Sequence, residues 1–140
     1  MKVIFTILIS SLTLFSQTDK AVGDYAFTVK TVENNLFEYK MSLSQDGTFF
    51  FHYYSNIKQG IPPEVNKYGK GKWIMKNNLI SFFCDKQKDV DEKYTLDFTN
   101  TKARFVIKSP RDKTDKIIKT KLTFLESDIF WIKRLDIVKI

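Results

Sequence analysis

The sequence contains one histidine, His52, and one cysteine, Cys84. A cysteine or serine nucleophile needs a general base within hydrogen-bond reach. Strand alternation puts His52 on the face opposite Phe49, Phe51 and Tyr53, while Cys84 points inward opposite Gly71. The two should therefore not meet, and they read as a surface histidine and a buried, inert thiol. Structural zinc wants about four Cys or His ligands, which one of each cannot supply. Asp85, Asp89, Asp91 and Glu92 gather oxygens that calcium could use. Their spacing is not the EF-hand pattern, the segment has no glycine for its bend, and Lys86 and Lys88 dilute it, so a solvated hairpin loop is expected. Glycine-rich phosphate loops and His-Glu-x-x-His are missing from the sequence. No catalytic residue, metal ligand or cofactor is expected, and the chain does not read as an enzyme.

Charge is the second resource. The formal net charge is +7. Between 102 and 121 stand eight bases, namely Lys102, Arg104, Lys108, Arg111, Lys113, Lys116, Lys119 and Lys121, against Asp112 and Asp115. The rest of residues 17–140 balances, 14 bases against 14 acids, so one segment carries the imbalance as a patch. Lys102, Arg104, Lys108, Lys119 and Lys121 are expected to face outward, where they could dock to an anionic surface such as an envelope glycolipid or polyanionic glycan. Edge-strand lysines also serve solubility by blocking strand pairing. Only three of the bases are arginine, and the exposed aromatics Phe50 and Tyr54 belong to a different hairpin, which speaks against nucleic acid.

The chain must position these groups with a modest length. Met1-Lys2 followed by the apolar run Val3–Phe15, with Ser16 before Gln17, reads as a signal peptide over residues 1–16. That run is too short to span a bilayer, which takes about 20 residues. No cysteine follows it, so the expected product is an exported domain, periplasmic or extracellular, and not a lipoprotein. Residues 17–140 suit a single domain. With no second cysteine there is no intramolecular disulfide, and 13 phenylalanines must help fill the core.

Period-2 alternation bounded by turn residues recurs along the chain, and no helical period is sustained. Asp24–Thr31 opens the series. Leu36–Leu43 puts Phe37, Tyr39, Met41 and Leu43 on one face, and Thr48–Ser55 returns after the Asp46-Gly47 turn. Lys70–Lys76 and Leu79–Cys84 flank Asn77-Asn78, and pairing 76 with 79 sets Met75 against Ile80 and Trp73 against Phe82. A one-residue slip would expose the whole set. Tyr94, Leu96 and Phe98 are then expected to meet Ile107, Phe105 and Ala103. Lys116–Leu125 should turn Ile118, Leu122 and Phe124 inward, and Ile129–Ile132 and Leu135–Ile140 close the chain. The fold class is therefore all-β, a single antiparallel up-and-down barrel of about eight to ten strands, since closure hides the edges of a sequential meander. The one long connector, residues 56–68, reads as a functional lid or a mobile loop.

On Gly23-Asp24-Tyr25, Leu43 leading into Asp46-Gly47-Thr48-Phe49, Gly71-Lys72-Trp73, the Asn77-Asn78 turn and the Tyr94, Leu96, Phe98 alternation, the chain resembles bacterial exported lipocalin-like (calycin-type) domains. The likeness covers most of residues 23–140. It departs where lipocalins carry Gly-x-Trp on the first strand, because Tyr25 stands there and Gly-x-Trp lies at 71–73 instead. Arg134 is the one residue placed to serve as the arginine that packs over the lipocalin tryptophan. The resemblance implies a barrel that could hold a small apolar ligand.

Phe49, Phe51, Tyr53, Trp73, Phe82, Tyr94 and Phe105 are the lumen candidates for such a ligand. A small barrel can fill its lumen with side chains or keep room for one small molecule, and this much aromatic volume in so short a chain favours filling. The expected function is non-enzymatic binding, with a small apolar molecule inside the barrel or an anionic envelope component on the basic 102–121 segment. The alternative is an envelope interaction or structural protein with a solid core that docks through that segment.

Overall fold

The computed structural model describes residues 19–140, so the expected signal peptide over residues 1–16 lies outside the described residues. Eight antiparallel strands close into a barrel: β1 (Gly23–Lys30), β2 (Leu36–Leu43), β3 (Thr48–Asn56), β4 (Glu64–Lys76), β5 (Leu79–Phe83), β6 (Lys102–Val106), β7 (Lys121–Glu126) and β8 (Asp136–Lys139). Each strand pairs with the next, and β8 returns to β1 through Tyr25↔Lys139 and Ala26↔Val138. The closure is reinforced by two bonds near the chain ends. The Lys139 Nζ donates to the Lys20 carbonyl at 3.0 Å, and the Ile140 N–H donates to the Asp24 carbonyl at 2.9 Å. A helical turn at residues 19–21 covers this end, where the buried Tyr25 hydroxyl donates to the Ala21 carbonyl at 2.6 Å. Among the described residues, no helix is long and apolar enough to cross a membrane.

Local chemistry explains the tight turns. Asn77 and Asn78 both take positive φ, 54° and 62°, the left-handed geometry that a two-residue hairpin requires. The register they impose sets Trp73 against Phe82, Met75 against Ile80 and Lys76 against Leu79, as the alternation demands. At the β2–β3 turn, Asp46 Oδ1 accepts from the Thr48 N–H and hydroxyl, at 3.0 and 2.6 Å, and Gly47 takes φ 88°. These bonds to Thr48 hold the Asp46 carboxyl below its ordinary value.

Elsewhere the structure departs from expectation. β4 begins at Glu64, so the long connector shrinks to 57–63, and residues 56 and 64–68 form paired strand instead of a lid. The inward positions of that extension are Val65, Lys67, Gly69 and Gly71, an alternation masked by two glycines and a lysine. The Tyr94–Phe98 stretch forms no strand beyond one parallel bridge, Leu96 to Gly69. β6 pairs instead with β5 and β7, placing Ala103 beside Ile80 and Phe124. The cause lies in strand length: β5 covers only Lys72–Lys76 of β4, leaving the edge of residues 64–71 to be covered by the returning chain. Leu96 does so, its N–H donating to the Tyr68 carbonyl at 3.1 Å, and Phe98 enters the interior behind it. Residues 107–120 form a loop, with Ile107 exposed and Ile118 half-buried, so neither joins the core as expected. Ile129–Ile132 is a turn, not a strand, although Ile132 is fully buried.

Candidate functional site

Five of the seven lumen candidates, Phe49, Phe51, Trp73, Phe82 and Phe105, lie inside the barrel with 0–3% exposure. Phe98 and Phe124, both 0% exposed, complete the set. Their rings interlock: Phe98 lies 5.1 Å from Phe49, 5.0 Å from Phe51 and 5.9 Å from Phe82, and Phe82 lies 5.9 Å from Phe124. A side chain with no exposure touches no void large enough for water, internal or external. Around Phe51, Phe98 and Phe124, each 0% exposed, the interior is packed core. Trp73 also donates its indole N–H to the Ser44 carbonyl at 3.0 Å, tying β4 to the β2–β3 turn.

The remaining two lumen candidates lie elsewhere. Tyr53 is half-buried at one mouth, 5.2 Å from Tyr39 and 5.1 Å from Trp131, which the 127–135 turn lowers onto them like a plug. Lys67 reaches over the Trp131 ring at 5.8 Å. Burial raises the Tyr39 hydroxyl above its ordinary value, with the neighbouring Tyr53 adding to the shift. Tyr94 corrects the sequence reading, because it lies outside the barrel. The Asp91 carboxylate accepts the N–H groups of Tyr94 and Lys93 at 2.8 and 2.9 Å, and this turn swings Tyr94 away from the inward side that Leu96 takes. Its ring lies 6.0 Å from Phe50 and 5.9 Å from Tyr68, with Lys70 Nζ 4.4 Å above it. Arg134, the arginine suggested by the lipocalin likeness, is exposed in the 127–135 turn with φ 73°.

The two groups with nucleophilic or basic character remain apart, each with its own partners. His52 stacks on Tyr68 at 4.6 Å and 2°, and its Nε2 lies 2.8 Å from Asn66 Oδ1. The Cys84 thiol donates to the Lys70 carbonyl at 3.2 Å and accepts the Phe98 N–H at 3.1 Å. Burial pushes this thiol up to about 11, and Asp97 and Asp89 add to the shift against the opposing Phe98 bond. The carboxylates of the 85–92 loop turn to backbone: Asp85 accepts the Gln87 N–H at 2.9 Å, and Asp89 accepts the Asp85 N–H at 2.7 Å. Among the described residues, no three His, Cys, Asp or Glu side chains cluster as a metal site would require.

The basic segment divides by partner. Lys102 and Arg104 project from the outer face of β6, exposed, next to Ser81 and Leu79 of β5. Lys119 is exposed on the 107–120 loop. Lys108 is engaged within that loop, its Nζ donating to the Thr114 carbonyl at 2.6 Å. Lys121 pairs with Asp136 across β7 and β8 at 3.3 Å. Among the described residues, Lys102, Arg104 and Lys119 have no acidic partner within ion-pair distance. Beside them the loop folds over the barrel wall and leaves a groove of about 520 Å³, whose apolar walls are Phe27, Val106, Ile117, Ile118 and Val138. The sequence reading missed this groove because it sent Ile118 inward. The available signal was Ile117-Ile118 adjacent in sequence, which no alternating strand can bury on one face. Compared with protein-family models, curated proteins and solved structures, the chain matches none of them.

Proposed function

We propose that this barrel is an exported, lipocalin-like, non-enzymatic binding protein that works from its outer surface, docking to an anionic envelope component through the basic 102–121 segment. One contrast carries the reading. The interior aromatics that could have received a ligand are packed against one another, while, among the described residues, Lys102, Arg104 and Lys119 stand exposed and form no ion pair. Exposed cations outside ion pairs raise the local concentration of an anionic partner and attract it most strongly at low salt. A ligand inside the barrel would have to displace part of this ring cluster.

The test is partition onto vesicles containing phosphatidylglycerol, against phosphatidylcholine vesicles, at low and high salt. A basic residue close to an anionic surface contributes about 1 kcal/mol. The double variant Lys102→Gln/Arg104→Gln should therefore partition roughly 30-fold more weakly. Binding that is indifferent to salt, or equal on the two vesicle types, would overturn the proposal.

A further inference from the structure

We infer that the groove under the 107–120 loop is a binding site for a single-chain amphipathic anion, a long-chain carboxylate. It rests on the basic-face reading and shares Lys119 with it, but adds Lys116 and the apolar walls of the groove. The groove's volume, about 520 Å³, falls within the usual span of small-molecule sites. Its walls are apolar, and two of them remain open to solvent, with Ile117 88% exposed and Phe27 39% exposed. An aliphatic chain laid against them would remove both from water.

The rim decides the head group. Lys116, Lys119 and Lys121 border the groove, with Asp136 as its one acid. Lys121 and Asp136 neutralise each other at 3.3 Å, whereas Lys116 and Lys119 have no acidic partner among the described residues. Of the loop's own carboxylates, Asp112 is turned to the Thr114 N–H and hydroxyl, at 2.9 and 2.6 Å, and Asp115 is absent from the groove lining. A neutral hydrocarbon would leave the two ammonium groups unused, and a polyanion without a tail would leave the apolar walls wet. One negative head joined to one aliphatic chain satisfies both.

Dodecanoate below its micellar concentration is the probe, titrated calorimetrically at neutral pH beside 1-dodecanol. Ile117→Ser and Lys119→Gln change exposed loop side chains and should leave the fold intact, which circular dichroism checks. Dodecanoate should bind saturably, roughly tenfold more weakly to Ile117→Ser. Its affinity for Lys119→Gln should fall roughly threefold to fivefold. Lys102→Gln/Arg104→Gln lies off the groove and should bind dodecanoate as the parent does. No saturable binding, unchanged affinity in both groove variants, or equal affinity for dodecanol would each overturn the inference. Loss of vesicle docking in Lys102→Gln/Arg104→Gln alongside absent dodecanoate binding would reject the groove while sparing the basic face. Dodecanoate binding without vesicle docking would do the reverse.

Discussion

Cys84 illustrates how a single side chain can be chemically quiet by placement. Its thiol is held between the Lys70 carbonyl and the Phe98 N–H, and burial pushes it up to about 11 from an ordinary value of 9.0. A raised thiol means that the fold favours the neutral form. The stability this contributes is fully present below the ordinary thiol value and is lost as pH rises toward about 11. Denaturation midpoints should therefore fall more steeply between roughly pH 9 and 11 in the parent than in Cys84→Ala, and alkylation at pH 8 should be slower than in the unfolded chain. The residue's inward position beside Gly71 was legible in the sequence, because hairpin register propagates from the Asn77-Asn78 turn. The outward position of Tyr94 was not. Its alternation with Leu96 and Phe98 is that of a strand, and only the Asp91 turn, a local backbone event, breaks it.

Among the elements, the short β5 makes the difference. It leaves part of β4 unpaired, and the loose segment carrying Leu96 and Phe98 seals that seam. Gly69 and Gly71 make this possible by letting rings approach the β4 backbone. A Cβ at Gly69 would lie 2.8 Å from Phe98 Cε1, while one at Gly71 would collide with the Phe83 carbonyl oxygen and lie 2.9 Å from Phe49 Cε1. Ring ends can shift, but a paired strand's carbonyl cannot shift cheaply. Gly71→Ala should therefore destabilise by about 1–3 kcal/mol, and by more than Gly69→Ala, in urea titrations of both variants. Tight hairpins were readable because neighbouring residues specify them. The seam was hidden because it joins residues 69 and 96 with no repeating pattern to announce it. The apolar groove escaped notice for a related reason, since Ile117 and Ile118 belong to a loop whose path depends on the finished barrel.

For the whole molecule, the packed interior governs stability. Trp73 is 2% exposed, bonded to Ser44 and paired with Phe82, so Trp73→Ala should leave a void and cost about 3–5 kcal/mol. The loss should appear as a lower midpoint of one cooperative unfolding transition, followed by circular dichroism. A cost near zero would mean that the indole borders open space. The barrel also has a property that its linear numbering conceals. With Lys139 bonded to Lys20 and Ile140 to Asp24, the eight strands form a ring in which β8 leads back to β1 as directly as any hairpin leads onward. In a chain shortened to residues 19–140, a short peptide joining residue 140 to residue 19 would bridge a gap already spanned by hydrogen bonds. The same architecture is thus open to circular permutation, with a new start cut at the exposed Asn77-Asn78 turn, and partners fused at residues 19 and 140 would leave from one end of the barrel.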